Sequence, residues 1–378
     1  MKYSVIDISS SSLSFIVADV DGGSAEVIFK DRITLSLTQY MEGKSLSARG
    51  TEKLISAINA AKQKCTALGV EKAYLIATAA LRQIDNFGEV HDAAAQATGM
   101  MIKLIDGKAE GRFDLMANSG YATYDRAVLI DIGGASIEIC DFADPSEEGT
   151  KFLKFGIFDL NRKFVDDIQP TEDEAKKIKK YVKKKLAEAE LPKDGAYSTV
   201  VLVGATNNAV YDVYADYAKT EGEEKRIDIK QFKKLSAHLT GDPGRSALVL
   251  KSAPERIYML TTAAVVLNAI FKRFRPENVV VSDRGVKEGY LRFILENGEG
   301  EEYNFEGEPH EKSQPAPVKR GRKPTGKKPK SETRPDGAPK RKYVRKKKQD
   351  ESVAGKEQSA PENADVQTEG DAVDGAKE

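Results

Sequence analysis

Two short polar stretches interrupt apolar runs in the same way. Asp7-Ile8-Ser9-Ser10-Ser11-Ser12 separates the run that begins at Lys2 from Leu13–Val20, and Asp131-Ile132-Gly133-Gly134-Ala135-Ser136 separates Ala127–Ile130 from Ile137–Phe142. A tight turn of Gly or Ser between two strands points successive backbone N–H groups into one concavity, which attracts an anion without a side-chain cation. Gly-rich turns also serve as ordinary hairpins, and an Asp at their start often just initiates the turn. The repetition at matching places argues for more than that: two such loops facing each other across a cleft suit a phosphate chain held between domains.

The elements that must carry these loops follow from hydrophobic spacing. Lys2–Ile8, Leu13–Val20 and Ala25–Leu37 read as strands. Leu54, Ile55, Ile58 and Ala61 give helical spacing between Ser47 and Leu68, with Gly69 as the stop. Ala73–Ala77 and Met101–Ile105 read as further strands, and helices are expected over 86–98 and 108–119. The order then restarts. Strands at 127–130, 137–142 and 151–155 lead to helices at 157–166 and 171–189, a buried strand at Thr199–Val203, helices at 228–240 and 253–273, a strand at Val279–Val281 and a closing helix at 284–295. Both halves open strand–Asp–turn–strand, so the spacing predicts a domain-scale duplication. The expected organisation is a first α/β domain over 1–123, a second over 124–298 and a disordered tail over 299–378.

Composition sets the outer limits. A chain of 378 residues, 40% apolar and 31% charged, has room for two or three domains of about 100–200 residues each. No run approaches the about 18 apolar residues of a membrane span, and the N-terminus lacks a signal-peptide pattern. Cys65 and Cys140 are the only cysteines, which excludes a disulfide framework and a Cys-rich zinc site. The chain is therefore read as cytoplasmic, with no membrane partner. The zero net charge conceals three segments: residues 312–348 carry +14, residues 350–378 carry −7 and the remaining body carries −7. The basic arm is rich in Pro and Gly and nearly empty of large aliphatics, so it cannot repay the cost of ordering its backbone.

Six segments, in order, resemble the exopolyphosphatase / guanosine pentaphosphate phosphatase family (Ppx/GppA), over about Tyr3 to Arg292. The first loop is similar to Asp-Leu-Gly-Ser-Asn-Ser. Ala77-Thr78-Ala79-Ala80-Leu81-Arg82 resembles Ala-Thr-Ser-Ala-Leu-Arg, and Gly107-Lys108-Ala109-Glu110-Gly111-Arg112 resembles Gly-x-Glu-Glu-(Ala/Gly)-Arg. The second loop with Ile137-Glu138 resembles Asp-(Ile/Gln)-Gly-Gly-Gly-Ser-Thr-Glu. Gly204-Ala205-Thr206 stands for a Gly-Gly-Thr turn, and Ser282-Asp283-Arg284-Gly285-Val286-Lys287-Glu288-Gly289 resembles Ser-Asp-x-Gly-Leu-Arg-Glu-Gly.

The resemblance implies two ribonuclease-H-like domains of the actin, hexokinase and Hsp70 type around a central cleft. It implies phosphoanhydride hydrolysis with Mg²⁺, on polyphosphate or a phosphorylated nucleotide such as guanosine pentaphosphate. Glu110 then takes the position of the catalytic base, and Asp7 and Asp131 those of the metal-binding carboxylates. Ser10, Ser12, Gly133, Gly134 and Ser136 would cradle phosphate, with Gly204 and Thr206 at the far end. Arg82 would neutralise a phosphate or buttress the first loop. Short members often dimerise, which makes a second copy a candidate partner. Without the family, Glu110 is a solvated helix charge, and Lys287 and Glu288 read as a surface pair. Ser9, Ser11, Ala135 and Ala109 depart from the family pattern, and Ser14 stands near where many members carry a basic or polar residue. Gly serves where φ is positive or the backbone approaches a ligand closely, so a Cβ at position 9 is expected to widen the first loop.

Val318-Lys319-Arg320-Gly321-Arg322-Lys323-Pro324 resembles an AT-hook, with Lys323 intervening before the Pro. An extended Arg320-Gly321-Arg322 suits a narrow minor groove, so DNA is a candidate partner of the arm, through mostly electrostatic contacts. Two function classes stay open. One is an Mg²⁺-dependent phosphohydrolase. The other is a catalytically weakened member that binds a phosphorylated ligand and is tethered to DNA. A kinase of the same superfamily fits the Arg82 and Glu110 segments less well.

Overall fold

The computed structural model describes residues 1–298 apart from 147, 193, 194, 221 and 223. The expected disordered tail, with Arg320, Gly321 and Arg322, lies outside the described residues. The first lobe holds β1 (Lys2–Ile8), β2 (Ser12–Asp21), β3 (Ser24–Thr34), the small hairpin β4 (Met41–Glu42) and β5 (Ser45–Leu46), α1 (Ala48–Ala67), β6 (Lys72–Ala77), α2 (Ala79–Arg82), α3 (Phe87–Thr98), β7 (Lys103–Leu104) and α4 (Gly107–Ala117). Then follow β8 (Ala127–Ile132), β9 (Ile137–Asp141), β10 (Thr150–Leu153), α5 (Ile157–Phe164), α6 (Glu172–Glu188), β11 (Thr199–Val203), α7 (Gly204–Ala218), α8 (Ile229–Gly241), α9 (Arg245–Ser252), α10 (Leu260–Phe274), β12 (Asn278–Val281) and α11 (Val286–Asn297). No helix among the described residues is long and apolar enough to cross a membrane.

The duplication is visible in the sheets. One has the order β3-β2-β1-β6-β7 and the other β10-β9-β8-β11-β12. In each, three antiparallel strands are extended by two parallel ones. The central strand is buried on both sides. Ile6 and Ile8 of β1 join the core under α1, while Tyr3 and Val5 join a second core with Phe113 of α4 and Tyr290 and Phe293 of α11. Leu54, Ala57, Ile58, Ala61 and Cys65 form the apolar stripe that seats α1. Ser47 Oγ caps its start, accepting from the Gly50 N–H at 3.2 Å.

Two helices join the lobes. α4 packs Phe113 with the first sheet and Leu115 against Leu129, Cys140 and Val201 of the second. α11 follows the last strand of the second sheet yet packs on the first sheet and on α4. Gly289 permits that approach, since a Cβ there would lie 1.8 Å from the Phe113 carbonyl oxygen. Arg292 Nη1 donates to the Met116 carbonyl (3.0 Å) and to Ser119 Oγ (2.6 Å), and Asn118 Nδ2 donates to the Arg284 carbonyl (3.2 Å).

Three local expectations are corrected. The strand at 101–105 is only two residues long. The helix expected over 253–273 starts late: Pro254–Arg256 forms a 3-10 turn, α10 starts at Leu260, and α9 (Arg245–Ser252) precedes them without having been expected. Pro254 has no N–H and disfavours the helical conformation at Ala253, whose φ is −149°. The turn expected at Gly204–Thr206 is the first turn of α7, which the sequence pattern did not signal. Gly289→Ala is expected to destabilise the protein by about 1–3 kcal/mol, because the new methyl must push α4 and α11 apart. Urea unfolding would check this, and a wild-type midpoint would refute the close contact.

Candidate active site

The two Asp-led loops have the same construction. The Ser9 N–H donates to the Ser12 carbonyl, and the Gly133 N–H to the Ser136 carbonyl, each at 2.9 Å. Neither Ser9 nor Ala135 has a positive φ, so neither replacement of Gly strains the backbone. Ser9 Oγ instead turns inward, donating to the Ser12 carbonyl at 2.9 Å. Each loop is held from behind. Leu35 and Ser36 donate to the Ser11 carbonyl, and Leu37 to that of Ser10. Ile157 and Phe158, at the start of α5, donate to the carbonyls of Gly133 and Gly134. The loop tips meet: a Cβ on Gly134 would lie 3.5 Å from Ser10 Oγ and would strike the Phe158 ring.

Asp7, Ser10, Ser12, Glu110, Asp131, Gly133, Gly134, Ser136, Gly204 and Thr206 all line one cleft of about 830 Å³. Their chain positions span both lobes, so the fold brings together what the sequence separates. Gly204 has a φ of +85°, and a Cβ there would lie 2.1 Å from Asp131 Oδ1. Only glycine admits both the conformation and the neighbour.

Glu110 sits in the first turn of α4. Asp106 caps that helix, accepting from the Lys108 and Ala109 N–H groups at 2.8 Å. Arg82 does not line the cleft. It lies behind Glu110, donating from Nη1 to Oε2 at 2.9 Å and to the Ile105 carbonyl, with its guanidinium 5.8 Å from the centre of the Phe152 ring. The guanidinium therefore orients the carboxylate, and the alternatives of phosphate contact or first-loop support are not what the geometry shows.

The sequence missed two further acids. Glu138 lies directly opposite Asp131 in the β8–β9 register, and Asp114 follows Glu110 by one helical turn. Both are buried. The strand–turn–strand pattern could have exposed Glu138, because a residue paired across such a loop lies a fixed distance along the chain. In the first lobe the equivalent partner of Asp7 is Ser14. Basic groups were missed as well. Lys30, Arg32, Lys225, Arg256 and Lys287 line the cleft. Glu288 does not pair with Lys287 on the surface: its Oε1 accepts from Lys30 Nζ at 2.6 Å and its Oε2 from the Gly285 N–H at 3.0 Å.

Withdrawal from water raises the proton affinity of every acid in this group. Burial first, then repulsion from Asp7, pushes Glu110 up to about 7 against the opposing pull of Arg82. Burial, then Glu110 and Asp7, pushes Asp131 up to about 8. Asp7, Asp114 and Glu138 are raised in the same direction, chiefly by burial. Asp7 Oδ1 and Glu138 Oε1 are buried without a hydrogen-bond partner. Such a set of oxygen donors, short of compensating charge, fits a hard divalent cation. No three acids, His or Cys among the described residues are arranged as a ready cage.

Two lobes with matching sheets around one cleft have the architecture of a pair of ribonuclease-H-like domains of the actin type. Solved structures share the fold. The Aquifex aeolicus Ppx/GppA family member superposes with a TM-score of 0.66 at 22% identity, covering 79% of this chain and 99% of that one. An exopolyphosphatase from Cytophaga hutchinsonii gives 0.68 at 15% identity, covering 78% and 98%. A sequence model of the Ppx/GppA phosphatase family matches residues 11–297, and the chain belongs to that family. Exopolyphosphatase 1 of Mycobacterium tuberculosis is 25% identical over 214 residues, 56% of this chain and 60% of that protein. The chain thus matches less than two thirds of the length of that relative. Exopolyphosphatase 1 of Mycobacterium leprae is 21% identical over 307 residues, 77% of this chain and 88% of that protein.

The shift of Asp131 from 3.8 to about 8 has a definite sign. The folded state holds this proton more tightly than the unfolded state, so stability is full below the unfolded value and falls as pH rises through the folded one. Without divalent cations, the stability advantage of Asp131→Asn over wild type should widen by on the order of a few kcal/mol between about pH 5 and about pH 9. Urea titrations at the two pH values test this, and parallel curves for the two proteins would contradict it.

Proposed function

We propose that this cleft hydrolyses phosphoanhydride bonds and releases the terminal phosphate of inorganic polyphosphate. The observation that carries the proposal is Glu110, a buried carboxylate oriented by Arg82 and opening into the same cleft as both anion-attracting loops. The family relatives named exopolyphosphatase support the choice of substrate over a nucleotide.

In this reading the amides of the two loops, with Ser10, Ser12, Ser136 and Thr206, hold the phosphoryl oxygens. Glu110 takes a proton from water while the water oxygen forms a bond to the terminal phosphorus. The bridging P–O bond breaks, its electron pair stays on the shortened chain, and orthophosphate leaves. A carboxylate with proton affinity near neutrality suits general-base work at that pH. Arg82 acts as a positioning residue, fixing which carboxylate oxygen faces the water. Asp7 and Asp131, with Glu138 alongside, would hold Mg²⁺. The bound ion would supply charge neutralisation at the phosphates. The rest of the catalysis is placement and electrostatics.

Glu110→Gln should lower kcat for phosphate release from long-chain polyphosphate with Mg²⁺ by about 10³-fold, with KM little changed. Wild-type protein releasing no more phosphate than this variant would point instead to a phosphate-ligand binder. We also propose that the basic arm contacts DNA through counterion release. A chain lacking residues 312–378 should keep hydrolysis of short substrates and lose retention on DNA at low salt. Equal retention of both chains would remove DNA as a partner of the arm.

A further inference from the structure

The hydrolytic scheme employs the acids and loops of the cleft and leaves its cations without a role. Most of these are already engaged. Lys30 Nζ donates to Glu288 (2.6 Å) and to the Asp283 carbonyl (3.0 Å). Lys225 Nζ donates to Asn208 Oδ1 (3.0 Å) and Asp283 Oδ1 (2.5 Å). Arg256 is buried beside Met259 Sδ at 4.0 Å and Glu255 at 3.9 Å. The side chains of Arg32, Arg284 and Lys287 make no hydrogen bond or ion pair among the described residues. Arg32 and Arg284 are exposed, whereas Lys287 is half-buried in the cleft wall.

The position of Lys287 is set beside a close backbone contact between α11 and α4. It lies in the first turn of α11, two residues before the Gly289 that rests on the Phe113 carbonyl. Phe113 belongs to α4, which also carries Glu110. The Glu288 carboxylate closes the start of α11 by accepting from the Gly285 N–H. Lys287 and Glu110 are thus held relative to each other by one helix pair, with no intervening loop.

The electrostatic surroundings agree with that placement. Against the burial that raises Asp7, Lys287 is the strongest opposing charge. It also opposes the rise at Asp114 and at Asp131, where burial and neighbouring acids dominate. An ammonium near three carboxylates and bonded to none has its three donors free for an anion that enters among them. A terminal phosphoryl group would be such an anion, and without a nearby cation the acids would repel it.

We propose that Lys287 is a further catalytic residue of this cleft: its ammonium touches the oxygens of the terminal phosphoryl group and balances the charge that grows there as water adds. The assignment rests on the phosphohydrolase reading.

The test compares Lys287→Met and Lys287→Arg with wild type in the full chain with Mg²⁺, using long-chain polyphosphate for turnover and orthophosphate alone for binding by calorimetry. The Met variant should lose about 10²-fold or more in kcat with KM changed far less, as expected for a donor that acts on the reacting group. It should also bind orthophosphate at least about 10-fold more weakly, since one charged contact is lost. The Arg variant, which keeps the charge, should recover most of both. A thermal melt matching wild type shows that the Met variant is folded; if it is not, the Arg variant is compared with Lys287→Gln. Wild-type turnover with an unaffected Met variant would overturn the role of Lys287 and leave the hydrolase standing. A wild type that releases no phosphate would overturn the hydrolase. In that case unchanged orthophosphate binding by the Met variant would overturn the contact as well, and weakened binding would uphold it. Loss of activity that Arg does not restore would show that shape, not charge, is what position 287 supplies.

Discussion

Repulsion among carboxylates that have been drawn out of water is the condition on which this site depends. Asp7 and Asp131 stand at equivalent strand ends of the two lobes, and Glu110 and Glu138 close in beside them. Charging all of them at once in a partly dry cleft is unfavourable, and only Glu110 has a direct ion pair, with Arg82. The acids respond by holding their protons more tightly. The cleft is therefore prepared for anything that brings positive charge with it, and it resists a bare anion. In the reaction proposed above, a phosphate chain accompanied by a divalent cation would meet both demands, the cation satisfying the acids and the loop amides taking the phosphate oxygens.

The contact that keeps these groups in place is made of backbone and glycine more than of side chains. Gly289 brings α11 onto the α4 carbonyl ridge, and Gly204 lets α7 begin directly against the Asp131 carboxylate. Both are positions where a methyl group would displace a functional residue. Around them the aromatic rings of Phe113, Tyr290 and Phe293 pack edge-on or tilted, with centroids 5.3 and 5.5 Å apart. Precision in the cleft thus derives from a hydrophobic core on the far side of the same helices, which links packing energy to the orientation of Glu110.

Sequence spacing predicted the duplicated strand–Asp–turn–strand units, and the sheets repeat them strand for strand. Of the ten predicted residues that line the cleft, seven lie in or beside the two strand–turn–strand loops, which leave a strong local pattern, while Glu110, Gly204 and Thr206 lie on helices and were called from the family resemblance. What stayed hidden had a physical reason in each case. α7 is buried on several sides, so its apolar residues form no single stripe, and its opening Gly-Ala-Thr-Asn-Asn looks like a turn. α9, ahead of Pro254, buries only Val249 and so leaves no apolar stripe in the sequence. Asp114 sits in a segment that reads as an ordinary helix, and only the third dimension turns it toward Asp131. Lys287 precedes an acid on a surface-like helix, a pattern that usually means a solvated pair. The crossing of α11 back onto the first sheet changes its surroundings entirely.

The two lobes are copies that have drifted apart at one telling place. Across from Asp131 stands Glu138, and across from Asp7, at the corresponding rung, stands Ser14. The facing strands therefore bring two acids to the second lobe's loop and one to the first's, so the charge along the strand ends is lopsided although the strands that carry it match rung for rung.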